Sequence, residues 1–352
     1  MTSIGACPAR RVRAASIAAL IIVSSVPADS RARAQALVKV TPLGSHDGEL
    51  CSADRAILFE DPTGVRILYD PGRTVDESDP RLGDVHVMLL THGHPDHIGD
   101  LRPSRAGTCE TPTLGPANPN SNFATIAAAK RAASFLASSE MDMFMARKIQ
   151  NIVGSPTPLC VARNRADETV VPTPTACVAR LHPGGSLMVR RAGAGQGVRL
   201  AAVQAMHPNG IPPGVLDAPG SSPGTGAYGG IAGGYIVHFT NGLVAYLVGD
   251  TGIFADLEII GKFYRPNLLV INIGDVGTLG PREAAYVVQN LVRGTTIMPS
   301  HTYEQSTAGG EPRSGSRLDS FMSLVRGLAE IVVPISSVTR SFDGDGRCVG
   351  CR

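Results

Sequence analysis

The chain has 352 residues, with 32 Lys and Arg against 30 Asp and Glu, 5% aromatic residues and no Trp. It therefore lacks the basic surface and the stacking side chains expected of a nucleic-acid-binding protein. The length suffices for one large buried core, and no apolar stretch approaches the roughly twenty residues of a membrane-spanning helix, so we expect no stable membrane insertion.

Residues 1–34 have the pattern of a secretory signal peptide. Arg10, Arg11 and Arg13 precede an apolar run of 13 residues, and small residues then provide cleavage sites. Removing the segment takes away five Arg and one Asp, which changes the formal net charge from +2 to −2. We predict a periplasmic or secreted protein. An ordered N-terminal helix is the alternative, and ordinary secretion fits the pattern better than twin-arginine export.

The next segment predicts antiparallel β-structure at the start of one domain over 35–335. Strand-like runs at 38–43, 56–60 and 65–69 are separated by turns rich in Gly and Pro. The third run leads into Asp70, for which there are two hypotheses. It is either an Asx-turn residue or a carboxylate that supports metal ligands from beneath.

A buried strand at 85–90 leads directly into Thr91-His92-Gly93-His94-Pro95-Asp96-His97. His92 and His94 are two residues apart, so in an extended turn both imidazoles point to the same side and reach one ion. Asp96 and His97 follow Pro95 and suit a second ion. Imidazole and carboxylate without thiolate favour zinc, with manganese or iron as alternatives. A solvated His-rich turn is the competing interpretation.

Residues 101–197 are interpreted as an insertion within the domain. Helical spacing predicts helices over 124–136 and 141–152, followed by a loop that contains Cys160 and Cys177. The segment has no linker at either end, which argues against a separate domain.

The last part of the domain again places polar residues where strands end. A strand at 198–206 precedes His207, and the Gly- and Pro-rich segment 209–234 suits a loop that lies over a site. A hairpin then delivers Gly249-Asp250-Thr251-Gly252. A strand at 268–273, a helix at 281–292 and a strand at 295–299 follow, and the last of these ends at His301.

Five segments in this order, Asp70-Pro71-Gly72, His92 to His97, His207, Gly249-Asp250-Thr251 and Ser300-His301, resemble the five motifs of the metallo-β-lactamase superfamily. The resemblance implies an α/β (α+β) fold, an αββα sandwich of two mixed sheets flanked by helices. It also implies that His92, His94 and His207 hold one ion, that Asp96, His97 and His301 hold the other, and that Asp250 bridges both. A narrower likeness, in the segment 249–268, is to the branch that contains ascorbate-6-phosphate lactonase.

The implied chemistry is hydrolysis by a hydroxide that two divalent ions share, with Asp96 and Asp250 as catalytic residues. Zn²⁺ is favoured, with Mn²⁺ or Fe²⁺ as alternatives. Thr251 and Tyr303 follow ligands and are candidate donors to a small-molecule substrate. By the same resemblance, true β-lactamases carry Cys or Ser where this chain has Asp250, so β-lactam hydrolysis is disfavoured.

An ester or lactone is the favoured substrate, because Asp217 is the only acidic or basic residue between His207 and His238. A phosphate group normally pairs with Arg or Lys. The alternatives are a phosphodiesterase or thioesterase of the same fold, a mononuclear iron dioxygenase acting on persulfides, and a non-catalytic metal-binding protein. The sequence sets no oligomeric state.

Six Cys remain once Cys7 is removed with the signal peptide, an even number that suits an oxidising compartment. We favour a disulfide between Cys160 and Cys177, whose loop closure contributes about 3 kcal/mol. Cys348 and Cys351 form the other local pair, for which a zinc knuckle is a weaker interpretation. They lie in residues 336–352, which are predicted to be a C-terminal tail.

Overall fold

The computed structural model describes residues 36–103, 109, 114–117, 120–160, 167–212 and 226–351. The predicted signal peptide at 1–34 lies outside these residues and stays a prediction. None of the helices in the described part of the chain is long and apolar enough to cross a bilayer.

Strands make up most of the architecture. In chain order they are β1 (Val38–Pro42), β2 (Ile57–Glu60), β3 (Arg66–Tyr69), β4 (Val87–Leu90), β5 (Leu101–Pro103), β6 (Leu114–Ala117), β7 (Ala133–Leu136), β8 (Glu168–Val171), β9 (Cys177–Arg180), β10 (Ser186–Arg191), β11 (Val198–Gln204), β12 (Gly210–Ile211), β13 (Ala227–Tyr228), β14 (Gly233–His238), β15 (Val244–Leu247), β16 (Leu268–Asn272), β17 (Thr296–Ser300), β18 (Thr307–Ala308), β19 (Glu311–Pro312), β20 (Glu330–Ile331), β21 (Arg340–Phe342) and β22 (Cys348–Val349). One eight-stranded sheet has the order β22-β21-β1-β2-β3-β4-β7-β9, and a second has the order β20-β17-β16-β15-β14-β11-β10-β8.

Helices cover the outer faces of the two sheets. They are α1 (Pro95–Ile98), α2 (Asn122–Lys130), α3 (Ser139–Val153), α4 (Asp256–Tyr264), α5 (Pro281–Asn290) and α6 (Arg317–Leu324), with a 3-10 turn at Pro80–Leu82. Helix α5 begins at a proline, whose missing N–H costs nothing in the first turn. Helix α6 has Ser316 as its N-cap, which accepts a hydrogen bond from Asp319 N.

Three apolar clusters define four layers. The largest lies between the sheets and joins side chains such as Phe59 and Leu89 from the first sheet with Tyr235 and Val270 from the second. A second cluster joins the other face of the first sheet to α2 and α3, and a third joins the second sheet to α4, α5 and α6. This arrangement is the αββα sandwich, so the predicted fold class is confirmed.

Residues 101–197 contribute four strands to the two large sheets, which is more of the sandwich than the sequence indicated. Strands β7 and β9 extend the first sheet, and β8 and β10 form the edge of the second. The prediction of one helix over 124–136 was wrong, because α2 ends at Lys130 and Arg131 adopts a left-handed backbone with φ of 52°. Residues 133–136 then form a fully buried strand parallel to β4.

The C-terminal residues are also part of the sheet. Strand β21 pairs antiparallel with β1, and β22 pairs with β21, so the segment predicted as a tail completes one edge of the first sheet. Phe342 is fully buried in the core between the sheets, and this burial anchors the C-terminal strands to the first sheet.

Disulfides join all six cysteines of the described chain. The predicted pair of Cys160 with Cys177 is confirmed, and Cys348 is bonded to Cys351. The third bond, between Cys51 and Cys109, joins residues 58 positions apart and was not predicted.

Candidate metal centre

The strand ends bring the predicted ligands to one edge of the sandwich. Strands β15, β16 and β17 run parallel, so their carboxyl ends meet at the same edge, where Asp250 and His301 follow β15 and β17. Strand β11 points the same way, since it and β15 are both antiparallel to β14, and it is followed by His207. From the first sheet, β4 leads into His92 and α1.

Asp250 lies at the middle of the cluster and is 3% exposed. Its Oδ2 atom is 3.1 Å from His301 Nε2 and 3.3 Å from His97 Nε2. The same oxygen is 3.7 Å from His207 Nε2 and 3.9 Å from His92 Nε2. One carboxylate oxygen therefore faces four imidazoles from three separate parts of the chain.

The remaining ligands complete two neighbouring groups. Asp96 Oδ2 lies 3.3 Å from His301 Nε2 and 3.7 Å from His97 Nε2. His94 Nδ1 lies 3.2 Å from His207 Nε2. The donor atoms of His92, His94 and His207 lie within 4.8 Å of one another, and so do those of Asp96, His97 and His301. A third group, His92, His97 and Asp250, overlaps both.

The donor set fits divalent ions. Nε2 of His92, His97 and His301 is buried and has no hydrogen-bond partner among the described residues. Buried nitrogens without partners are costly, since each has lost its water without gaining a replacement. Five imidazoles and two carboxylates at this spacing suit zinc or a similar ion, which takes neutral imidazole and ionised carboxylate as ligands.

The electrostatics of the cluster agree with ligation by neutral histidines and ionised aspartates. Burial lowers the pKa of His92, His94 and His207, most strongly for His92. Burial alone would raise the pKa of Asp250, but His301 and His97 outweigh it and hold that pKa well below its usual range. His97 differs, because the carboxylates of Asp250, Asp96 and Asp70 overcome its burial and raise its pKa.

Asp70 supports this cluster from beneath. Its Oδ2 atom lies 2.8 Å from His97 Nδ1 and also accepts a hydrogen bond from Thr91 Oγ1 at 2.7 Å, while Oδ1 accepts from Thr91 N at 2.9 Å. The residue is 1% exposed, and its backbone has a φ of 36°. These contacts place Asp70 beside a candidate ligand, as the second of the two hypotheses expects.

The two residues predicted as substrate donors are placed differently from each other. The Thr251 hydroxyl is buried, donates to Gly252 O at 2.9 Å and accepts from Met206 N at 3.0 Å, so it braces the loop of His207 and does not face a substrate. Tyr303 is half exposed, and its ring centroid lies 4.3 Å from that of His301. Of the two, Tyr303 is the exposed residue beside a candidate ligand and stays a candidate donor.

Two further residues contact the site but were not predicted from the sequence. Arg55 Nη2 donates to Asp96 Oδ2 at 3.2 Å. Asn209 Oδ1 accepts from Gly93 N at 2.8 Å, and its Nδ2 donates to Gly229 O at 2.7 Å. Asn209 thereby ties the His92–His94 turn to the segment after His207, and its place two residues after a candidate ligand was the available signal.

Comparisons with known proteins agree with the fold and the site. A family described as "Beta-lactamase superfamily domain" matches residues 65–302. A metal-dependent hydrolase from Cupriavidus taiwanensis is 26% identical over 303 residues, which is 84% of this chain and 88% of the relative. One from Koribacter versatilis is 28% identical over 268 residues, covering 75% and 86%.

Among solved structures, a metallo hydrolase from the archaeon Ignicoccus hospitalis superposes with a TM-score of 0.53 at 19% identity. The match covers 87% of this chain and 99% of that one, and at this identity it supports the fold alone.

Proposed function

The chain belongs to the metallo-β-lactamase superfamily and is a metal-dependent hydrolase, and on that premise we propose that it cleaves uncharged esters or lactones at a dinuclear centre. The ligands are those predicted: His92, His94 and His207 for one ion, Asp96, His97 and His301 for the other, with Asp250 between them. The clustering of these seven side chains supports the assignment.

The observation that carries the substrate class is a set of exposed apolar side chains on the loops around the ligands, which we name the apolar rim. Its members are 44 to 76% exposed. They are Met206, Tyr228, Ile231, Ile253, Val276 and Tyr303.

Local contacts join five of the six rim residues to the loops that carry the candidate ligands. Met206 precedes His207, and Gly252 N, next to Ile253, donates to Met206 O at 3.0 Å. Tyr228 pairs with Gly210 in the short β12–β13 ladder. Val276 N donates to Gly274 O, and a side chain at Gly274 would touch the ring of Tyr303. Apolar surface in a site loses its water when a substrate covers it, so it favours substrates with apolar groups.

The charges of the described site loops also favour an uncharged substrate. Segments 91–100, 205–212, 226–232, 249–255, 273–280 and 301–306 contain no Lys or Arg. Arg55 does approach a ligand, but its guanidinium is already bonded to Asp96 and to two backbone carbonyls. A phosphodiester would therefore meet no uncommitted cation in these segments, although phosphate binding usually relies on one. The same lack of cations supports a small-molecule substrate over nucleic acid.

Divalent ions in this donor set would lower the pKa of a bound water toward neutrality. They would also stabilise negative charge on the substrate oxygen. The protein's own contribution is positioning. Asp250 is fixed by burial among four histidines, so its carboxylate is held ready to orient a nucleophile. Tyr303 is half exposed and its ring lies beside that of His301, so its hydroxyl is suited to donate to the substrate's carbonyl or leaving oxygen.

The test compares kcat/KM for a matched aryl ester, an aryl-substituted lactone and a bis-aryl phosphate, in the Zn²⁺ and Mn²⁺ forms. We expect the ester or lactone to be preferred in both forms. A phosphodiester preference of about a hundredfold would overturn the assignment.

Substitution of one residue of the apolar rim also tests the proposed preference for apolar esters. Ile253→Ser should raise KM for the apolar ester by about five- to tenfold, because a partly exposed apolar contact contributes about 1 kcal/mol, the low end of the usual range. Leu328→Ser is the matched control. Leu328 is also exposed, but it follows α6, outside the site loops, so its substitution should leave KM unchanged.

We also propose that the protein acts in the periplasm or outside the cell. Three disulfides support this, since such bonds persist in oxidising compartments. Thiol titration of protein isolated from the periplasm of an expression host should find all six cysteines oxidised. Recovery of the protein from the cytoplasm alone, with six free thiols, would argue against export.

A further inference from the structure

Arg55 is a buried cation at the edge of the metal centre. Its side chain is 4% exposed, and its Nη1 atom donates to Ser52 O at 3.0 Å and to Asp54 O at 2.8 Å. These two bonds fix the plane of the guanidinium. Nη2 is then directed at Asp96 Oδ2, 3.2 Å away.

The surroundings of Arg55 leave its side chain little freedom. A Cβ atom on Gly72 would lie 2.6 Å from Asp96 O and 3.2 Å from Arg55 Cβ, so Gly72 permits the turn after Asp70 to press against both residues. Gly72 has a φ of 54°, a conformation that other residues rarely adopt. On the other side, the guanidinium carbon lies 5.3 Å from the centroid of the Tyr303 ring.

Asp96 needs such support more than the other carboxylate ligand does. Its side chain is 26% exposed, whereas that of Asp250 is 3% exposed and enclosed by histidines. The Asp96 oxygen that Arg55 contacts is also the one that faces His97 and His301. Without the guanidinium, this carboxylate could rotate into solvent, and holding it would cost side-chain entropy when an ion binds.

We infer that Arg55 is a positioning residue, which holds Asp96 in the orientation that ligates the ion shared with His97 and His301. The inference rests on the dinuclear centre of the proposed function. Partners that orient a ligand typically change metal affinity by about ten- to a hundredfold. The effect of Arg55 should be confined to one of the two ions, because the group of His92, His94 and His207 makes no use of Asp96.

The experiment is a Zn²⁺ titration of metal-free protein in competition with a chromophoric chelator. The natural sequence should bind two ions. Arg55→Met should leave one of the two affinities unchanged and weaken the other by about ten- to a hundredfold. Arg55→Lys keeps the charge but not the planar fork, so it should lose less affinity than Arg55→Met.

Arg73→Met is the matched control. Arg73 follows the same Asp70–Gly72 turn and makes a bidentate pair with Asp100, with Nε–Oδ1 at 2.6 Å and Nη2–Oδ2 at 3.0 Å. Asp100 is outside the candidate ligand groups, so both Zn²⁺ affinities should be unchanged in this variant.

A double-mutant cycle separates positioning from general destabilisation. Asp96→Ala already removes the ligand, so adding Arg55→Met to it should cause no further loss of Zn²⁺ affinity. A general structural effect would instead lower the affinity again, together with the melting temperature. Should Arg55→Met fail to fold, Arg55→Lys carries the same cycle.

The outcomes distinguish this inference from the proposed function. Two bound ions with unchanged affinities in Arg55→Met and Arg55→Lys would overturn the role of Arg55 and leave the dinuclear centre intact. A natural protein that binds only one ion, with full activity, would overturn the dinuclear centre and the role of Arg55 with it.

Discussion

Asp70 Oδ2 lies 2.8 Å from His97 Nδ1, and both side chains are almost wholly buried. The carboxylate accepts the Nδ1 proton, so in the neutral imidazole the lone pair is on Nε2, which lies 3.3 Å from Asp250 Oδ2 and 3.7 Å from Asp96 Oδ2. This fixes both the tautomer and the orientation of the ring, which metal ligation requires.

Asp70→Asn should therefore weaken Zn²⁺ binding by about ten- to a hundredfold, because the amide can set an N–H against Nδ1 and move the ring proton to Nε2. A chelator competition titration measures the change. Asp61→Asn is the control: Asp61 is also buried and accepts hydrogen bonds from Thr63 and Thr240, but it contacts no candidate ligand. Normal Zn²⁺ affinity in Asp70→Asn would show that the residue serves the turn alone.

Removal of the ions by a chelator should destabilise the fold as well as abolish turnover. Without a cation, the buried Nε2 atoms of His92, His97 and His301 lack a hydrogen-bond partner in the described part of the chain. An ion present at a hundred times its dissociation constant contributes about 2.7 kcal/mol to the free energy of unfolding. We expect the melting temperature to fall on chelation and to recover, together with activity, when Zn²⁺ is added. An unchanged melting temperature would mean that the cluster does not hold ions in the purified protein.

The disulfides should differ in what they contribute to stability. Cys160 and Cys177 are 17 positions apart, whereas Cys348 and Cys351 are only 3 apart. Closing the longer loop restricts the unfolded chain more, so removal of its disulfide should cost about 3 kcal/mol, roughly 1.5 kcal/mol more than removal of the shorter one. Urea unfolding of the two double Cys→Ser variants measures this. A larger loss for the Cys348–Cys351 pair would contradict the loop-entropy argument.

His86 should make part of the stability depend on pH. Its buried Nδ1 accepts a hydrogen bond from Arg66 N at 3.1 Å. Burial, and then the charge of Arg191, lower its pKa, with Asp84 opposing and Arg66 adding to the effect. The folded state therefore resists protonation that the unfolded state accepts near pH 6.5, and stability falls as the pH drops from there through the folded pKa.

The matched variant for this effect is His86→Asn, which keeps an acceptor for Arg66 N but does not titrate. In metal-free protein, its free energy of unfolding should fall less between pH 7 and pH 5 than that of the natural sequence. Parallel pH profiles for the two proteins would refute a role for His86.

The candidate ligands can be identified from the sequence because each lies in a local pattern. His92 to His97 are close in the chain, and His207, Asp250 and His301 each follow an apolar run that ends at a turn. Arg55 escaped prediction because its link to Asp96 spans 41 positions and has no periodicity or spacing. Long-range pairing also explains the errors in the fold. Residues 133–136 resemble a continuing Ala-rich helix, yet their place beside β4 makes them a strand.

The central claim is that Asp250 completes a dinuclear hydrolytic centre, and Asp250→Asn tests it most directly. The amide keeps the shape of the side chain but loses the charge that faces four histidines. Bound metal per chain and turnover of an aryl ester should be measured on the same preparation. We expect fewer than two ions and no detectable turnover. Full activity in this variant would contradict the account.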